Sequence, residues 1–129
     1  MADRWQSQYE FWSQFGVPAY EENSVPDIKD MPEPKYPYIT YEAAAGGFDD
    51  QIPITASIWD RSNSWEKADK LADEIEHYIR LSNATRYDKG MYRVYIGYTT
   101  FAQNMGDPDD DLIKRKLINV YFEFMQVDI

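Results

Sequence analysis

Cysteine is absent from this chain, and histidine occurs once, at His77. Without cysteine the protein can form neither a disulfide bond nor a thiolate nucleophile, which suits a reducing compartment. A zinc site or a general base built on His77 would need partners that the local spacing does not provide. The G-x-S-x-G motif of serine hydrolases is also missing. We therefore expect neither enzymatic activity nor a bound cofactor.

Basic residues are few, since 13 Lys and Arg stand against 23 Asp and Glu, giving a formal net charge of -10. Binding to a phosphate backbone depends on Lys and Arg, so a specific nucleic-acid partner is disfavoured. No apolar run approaches the roughly 20 residues that a helix needs to cross a bilayer, and no basic and then apolar leader opens the chain. The composition predicts a soluble protein with no membrane partner.

A chain of 129 residues can bury one core but not two, so residues 1–129 are predicted to form a single domain. Aromatic residues at near-helical spacing predict a short N-terminal helix within residues 1–16. Five prolines within residues 17–37 predict an extended arm, because proline removes backbone donors and disfavours helix before it. The remaining residues, 38–129, are predicted to form the folded core.

Residues 38–45 and 52–61 alternate between apolar and polar types, which predicts two strands of a hairpin. Asn63 and Glu66 have the spacing of a capping box, and the apolar residues after them predict a long amphipathic helix. Residues 91–98 and 112–127 predict two more strands. The prediction is an α+β protein with a single, mainly antiparallel, four-stranded sheet packed against the long helix, plus the N-terminal helix and the Pro-rich arm.

One acidic stretch and one glycine pair resemble parts of known ligand sites but lack residues that those sites require. Aspartates alternate within residues 107–111 as in a calcium loop, but Leu112 and Ile118 replace the glycine and the glutamate of that loop. The Gly46-Gly47 pair has no following helix or lysine and therefore predicts a turn, not a phosphate site. We predict no metal site here.

Aromatic residues make up 16% of the chain, with 11 tyrosines and four tryptophans. Tyr and Trp are favoured at the centres of protein interfaces because they combine a large apolar area with a polar group. They also cap the edges of ordinary cores, and composition does not choose between the two roles.

Short strings covering most of the chain resemble one known family. They are FGVPAY (15–20), YPYITYE (36–42), SIWDRSNSW (57–65), TFAQNM (100–105) and IKR (113–115). In this order they resemble the tail terminator, or tail completion, proteins of siphophages, which are often labelled minor capsid proteins. None of the strings is a catalytic motif.

The resemblance implies a structural protein that forms a ring, usually a hexamer, at the head-proximal end of the tail tube. The ring would stop tube growth and present a docking surface for the head connector. The implied partners are other copies of the chain, the major tail tube protein and the head connector or head-completion protein. The implied location is the tail-neck junction of the virion, reached from the host cytoplasm. DNA would pass through the ring without specific binding.

Two loops are the expected contact points of such a subunit, the hairpin tip and residues 99–111. The candidate assembly residues within them are Gly46, Gly47, Phe48, Asp49, Asp50, Phe101 and Met105. Phe48, Phe101 and Met105 are expected to enter apolar pockets on partners. The acidic residues could line the ring bore and repel DNA phosphates, or simply keep the protein soluble.

A second hypothesis belongs to a different class. A chain with a pI near 4.4 can present carboxylates at phosphate-like spacing, and so mimic DNA and inhibit a nucleic-acid enzyme. Ring-shaped particles or capped tail tubes favour the terminator, whereas a monomer that binds a DNA-processing enzyme favours the mimic.

Overall fold

The computed structural model describes residues 3–22, 35–45, 51–82, 84–87 and 90–126. Within these ranges the chain forms two helices and seven strands. In chain order they are α1 (Arg4–Ser13), β1 (Ala19–Glu21), β2 (Tyr38–Tyr41), β3 (Gln51–Arg61), α2 (Glu66–Leu81), β4 (Thr85–Tyr87), β5 (Gly90–Tyr95), β6 (Ala102–Gly106) and β7 (Ile113–Gln126).

The strands form one curled sheet in the order β1-β2-β3-β7-β5-β4, with β6 also paired to β7. Strand β7 is its centre. One edge of β7 pairs with β3 over residues 113–123, and the other edge pairs first with β6 and then with β5. Strands β1 and β2 are parallel, and the other pairs are antiparallel. Because β7 is bonded along both edges, it holds three other strands in a fixed register.

The chain is a mixed α+β fold, but the predicted four-stranded sheet against one long helix is wrong. Helices of 10 and 16 residues pack on a seven-stranded sheet instead. The three unpredicted strands, β1, β4 and β6, have only three to five residues each. Such short strands have no readable alternation, and pairing with a neighbour stabilises them. Strand β1 lies in the predicted arm, and β6 lies in the predicted loop 99–111.

Helix α2 shows how its sequence produces its packing. Its buried residues recur at three- and four-residue steps and therefore form one stripe toward the sheet: Ala68, Leu71, Ala72, Ile75 and Ile79. The predicted capping box is wrong in detail, because Ser64, not Asn63, provides the side-chain oxygen. Ser64 Oγ accepts a hydrogen bond from the backbone N–H of Glu66 at 3.0 Å, which satisfies a donor at the start of the helix.

One face of the sheet, which we call the inner face, carries the core and both helices. Alternate residues of β7 on this face are buried: Ile118, Val120, Phe122 and Phe124. Helix α1 reaches this face through Phe11, whose ring centre lies 5.6 Å from that of Phe122. Helix α2 reaches it through Asp69, which forms an ion pair with Lys116 at 2.5 Å. In the described part of the chain, no helix covers the opposite, outer face.

Two inner-face tyrosines predict how stability depends on alkaline pH. Burial, followed by nearby charges, raises the pKa of Tyr41 to about 12, and burial likewise raises the pKa of Tyr92 to about 12. Because an unfolded tyrosine ionises near 10, the folded state favours the neutral phenols. Their contribution to stability should be complete below about pH 10 and should be lost as pH rises toward 12.

Urea denaturation at a series of pH values between 8 and 12 measures this loss. The Tyr41→Phe variant cannot ionise at this position and should lose less stability than the wild type over the same interval. An equal fall in both proteins would show that Tyr41 does not contribute.

Candidate functional site

The acidic and histidine residues do not assemble a reactive centre in the part of the chain that the structure describes. No group of three or more His, Asp or Glu residues there could hold a metal ion. The carboxylates of the 107–111 loop accept backbone hydrogen bonds within the loop, from Asp109 to Asp107 at 2.8 Å and from Leu112 to Asp110 at 2.9 Å. These contacts close turns. His77 is exposed on the solvent side of α2.

The residues predicted as assembly contacts fall in different environments. Gly46, Gly47, Phe48, Asp49 and Asp50 lie outside the described residues.

The two other predicted contacts are both described. Phe101 is only 9% exposed and packs within the core of its own subunit, so little of its ring can enter a partner. Met105 lies on β6 and is 38% exposed. Only Met105 therefore keeps the exposed apolar surface expected of it.

The sheet register places Met105 in a row of residue types typical of interfaces. Tyr38 on β2 pairs with Trp59 on β3, Trp59 pairs with Arg115 on β7, and Arg115 pairs with Met105 on β6. Register partners on adjacent antiparallel strands project from the same face of a sheet. Because the neighbours of Trp59 in sequence, Ile58 and Asp60, are on the inner face, these four side chains share the outer face. We call them the outer row.

Ring and guanidinium contacts hold the outer row together. The rings of Tyr38 and Trp59 are stacked, with centres 6.3 Å apart and planes inclined by 16°. The guanidinium carbon of Arg115 lies 4.8 Å from the centre of the Trp59 ring, within the range of a cation–π contact. Trp59 Nε1 donates to Thr40 Oγ1 at 2.9 Å, and Arg115 Nε donates to Ser57 Oγ at 3.1 Å. The side chains are therefore positioned before any partner arrives.

Two further tyrosines extend the row at the β1 edge. The rings of Tyr20 and Tyr36 have their centres 6.0 Å and 5.4 Å from that of Tyr38. Burial, together with the charges that Tyr36 and Tyr20 carry when ionised, raises the pKa of Tyr38. Tyr38 therefore keeps its hydroxyl proton at neutral pH and can donate a hydrogen bond to a partner.

The outer row carries an arginine that forms no ion pair with a described residue, although the protein is strongly acidic. Arg61 is paired with Asp110 at 3.3 Å, and Arg93 with Glu123 at 2.8 Å. Arg115 has no carboxylate within ion-pair distance in the described ranges. A guanidinium stacked on an aromatic ring keeps its remaining N–H donors for planar acceptors. The outer row therefore presents a positive group that can bind a partner carboxylate.

The residue types of the outer row are those of a binding surface. Trp, Tyr, Arg and Met are enriched in protein interfaces, and Trp, Tyr and Arg dominate their binding energy. The row contains no acid and base pair, and no nucleophile with an adjacent base, as chemistry would require. Its side chains lie on a rigid sheet across four strands, so little conformational entropy remains to be lost on docking.

The sequence alone predicts one part of this site, the position of Trp59. The alternation in β3 predicts that Trp59 lies on the face opposite Ile54 and Ile58, where a large aromatic side chain is unusual. Arg115 gave no signal of its own, because its importance depends on the side chains beside it.

No protein-family model matches the chain, and no curated protein is significantly similar to it. Among the described residues, no helix is both long and apolar enough to cross a membrane.

Proposed function

We propose that this protein is a structural subunit of a siphophage tail. Copies of it form a ring at the head-proximal end of the tail tube, where the ring ends tube growth and receives the head connector. The subunit acts by binding its own copies, the major tail tube protein and the connector, and it makes or breaks no covalent bonds. It works at the tail-neck junction and assembles in the host cytoplasm.

One observation carries this proposal. Each of the five strings that resemble the tail terminators contributes a residue to the outer row or its extension. FGVPAY contributes Tyr20, YPYITYE contributes Tyr36 and Tyr38, and SIWDRSNSW contributes Trp59. TFAQNM contributes Met105, and IKR contributes Arg115. The segments with the family likeness therefore meet on the outer face of the sheet, where these side chains are partly exposed.

That convergence is what an assembly role needs. Strings that served only the core would place their distinctive residues on the inner face, where any apolar residue of similar size is tolerated. Here the strings place aromatic and arginine side chains on the open face, and these residue types form the energetic centres of interfaces. The same strings also supply core residues, among them Ile39, Ile58 and Phe101, and a docking role accounts for the aromatic and arginine side chains that they place on the other face.

Capping of tail tubes tests the proposal. Purified protein is added to growing tubes of the cognate major tail protein, and tube length and end structure are measured by electron microscopy. We expect growth to stop, with a ring at one end of each tube. Tubes of unchanged length and bare ends would contradict the proposal. A monomer that instead binds and inhibits a DNA-processing enzyme would favour the DNA-mimic hypothesis.

The same assay measures the contribution of the outer row. Replacing Trp59 or Arg115 by alanine should raise the concentration needed for half-maximal capping by about 30-fold, the effect of losing about 2 kcal/mol of interface energy. Trp5→Ala is the matched control, because Trp5 is an exposed tryptophan on α1 that lies outside the row. Circular dichroism establishes that each variant is folded. Equal capping by all three variants would exclude the row from assembly.

A further inference from the structure

The positive charge of Arg115 in the outer row indicates what kind of partner the row binds. In the described ranges Arg115 lacks a carboxylate, whereas Arg61 and Arg93 each have one. Its guanidinium is held by Ser57 and Trp59 and is half-buried. An arginine held in this way binds a carboxylate through two parallel N–H donors more strongly than a mobile surface lysine does. The partner should therefore present a carboxylate beside apolar or aromatic surface.

The helix layer of the same protein carries such a surface. Tyr78 on α2 is 38% exposed, and its ring centre lies 6.1 Å from that of Phe11 and 5.7 Å from that of Phe15. Tyr78 therefore lies at the junction of α1 and α2. Glu74 precedes it by one helical turn and so shares its side of α2.

Helix α1 contributes Glu10, which precedes Phe11 and acts with burial and Tyr78 to raise the pKa of Tyr92. We call Glu10, Glu74 and Tyr78 the helix seam.

The carboxylates of the helix seam form no ion pair within the described ranges, although Glu10 accepts a hydrogen bond from Gln6 Nε2 at 3.5 Å. Other acidic residues of α2 are neutralised within the subunit, Asp69 by Lys116 and Glu76 by Arg80. Glu10 and Glu74 form no ion pair with a described residue, and both are exposed. One surface thus has a fixed cation among aromatic rings, and the other has carboxylates without an ion pair beside an aromatic ring. The two are complementary in charge and similar in their apolar component.

We propose that the outer row of one copy docks on the helix seam of the next copy, with Arg115 bound to Glu74. The row lies on the outer face of the sheet and the seam on the helix layer that covers the inner face, so the two surfaces of one subunit remain free for different neighbours. A contact between unlike surfaces is head-to-tail and repeats, which produces a ring when the rotation closes. The identification of this ring with the tail ring rests on the proposed function.

A symmetric contact between two outer rows is less favourable. A two-fold axis through the row would bring the Arg115 side chains of both copies together, and like charges at an interface cost several kcal/mol. The head-to-tail contact replaces that repulsion with an ion pair.

Charge reversal tests the pair directly. In a head-to-tail assembly, every interface contains one Arg115 and one Glu74. Arg115→Glu or Glu74→Arg alone should weaken assembly on tail tubes by at least about 30-fold, and the double variant should recover most of it. Glu66→Arg is the control, because it makes the same substitution as Glu74→Arg at an exposed position in the first turn of α2, outside the helix seam. Single variants that assemble normally, or a double variant as defective as the singles, would overturn the pairing.

Engineered cysteines provide a second measurement, since the natural chain has none. Met105→Cys places a thiol beside Arg115 in the outer row. His77→Cys places one on the exposed side of α2, three positions after Glu74, and leaves the Glu74 carboxylate in place. A short bifunctional maleimide should join a mixture of the two single variants into heterodimers and a doubly substituted chain into a ladder. Arg86→Cys, on an exposed site of β4 outside the helix seam, should react far less with Met105→Cys. Homodimers of Met105→Cys alone would establish the symmetric contact and overturn the proposal.

The cross-linking is carried out with and without tail tubes, which separates the two proposals. Suppose that the wild-type protein caps tubes, but the charge variants assemble normally and the cysteine variants cross-link no more than the control does. The proposed contact is then wrong and the tail function stands. If the doubly substituted chain forms ladders but the wild-type protein leaves tube growth unchanged, the contact stands and the tail function is wrong.

Discussion

Replacing Phe122 by alanine should lower the free energy of unfolding by about 3 to 5 kcal/mol. Phe122 is completely buried on β7, the central strand of the sheet. It pairs in register with Ile52 on one side and Val94 on the other. Its ring also contacts those of four other aromatic residues: Phe11, Trp12, Tyr92 and Phe124. Truncation therefore removes contacts with the sheet and with α1 at once.

The loss should fall in the upper part of that range because the cavity cannot easily close. Strand β7 is bonded along both edges near this position, so its backbone cannot move inward without breaking pairs with β3 and β5. The cost of a large-to-small substitution rises with the cavity that remains. Total stabilities are typically about 5 to 15 kcal/mol, so this change would remove a large fraction of the stability of the protein.

Urea denaturation monitored by tryptophan fluorescence gives the free energy of each variant. Phe122→Leu keeps most of the apolar volume and should lose much less than the alanine variant. Tyr98→Ala, at a fully exposed site, should change stability by no more than about 0.5 kcal/mol. A loss below about 1 kcal/mol for Phe122→Ala would mean that the core is not centred on this ring.

Replacing Gln8 by alanine should cost roughly 2 to 4 kcal/mol, because two buried hydrogen bonds are lost together. The Gln8 side chain forms two hydrogen bonds with the backbone of Ala44, as a neighbouring strand would. Its Nε2 donates to the Ala44 carbonyl at 3.0 Å, and its Oε1 accepts from the Ala44 N–H at 2.6 Å. Gln8 and Ala44 are both buried. Alanine at position 8 would leave two backbone groups without partners and would loosen α1 from the sheet.

Two variants separate the hydrogen bonds from the helix itself. Gln6→Ala makes the same substitution at an exposed position of α1 and should be nearly neutral. Gln8→Glu keeps the shape of the side chain and one acceptor, but it cannot donate to the Ala44 carbonyl at neutral pH. Its free energy of unfolding should therefore be lower than that of the wild type, even though the side chain fills the same space. Hydrogen exchange of the Ala44 amide provides a local measurement. An unchanged exchange rate in Gln8→Ala would contradict the proposed link between α1 and the segment after β2.

The elements that the sequence predicts well have strong periodicity over many residues. Helix α2 repeats its apolar residues through four turns, and apolar residues alternate over residues 52–58 of β3 and 118–125 of β7. Long patterns of this kind determine which face is buried, because a shift of one residue would expose the whole apolar set. The assignment of Trp59 to the face opposite Ile58 follows from the same alternation.

The elements that the sequence does not predict are short and depend on neighbours. Strand β6 has exposed residues at four of its five positions and no apolar alternation, so residues 99–111 were interpreted as a loop. Pairing with the N-terminal half of β7 makes it a strand. The burial of Phe101 has the same origin, since its backbone carbonyl accepts from Asn119 at 2.8 Å and fixes the residue beside β7.

By itself, the sequence determined the mixed α+β class of the fold and the buried faces of its long elements. The tertiary structure decided where the outer row lies. Tyr38, Trp59, Met105 and Arg115 are distant in sequence except for one pair, and only the order and register of four strands place them side by side. Periodicity reports which face a residue occupies, whereas register depends on backbone pairing between strands that no local pattern encodes.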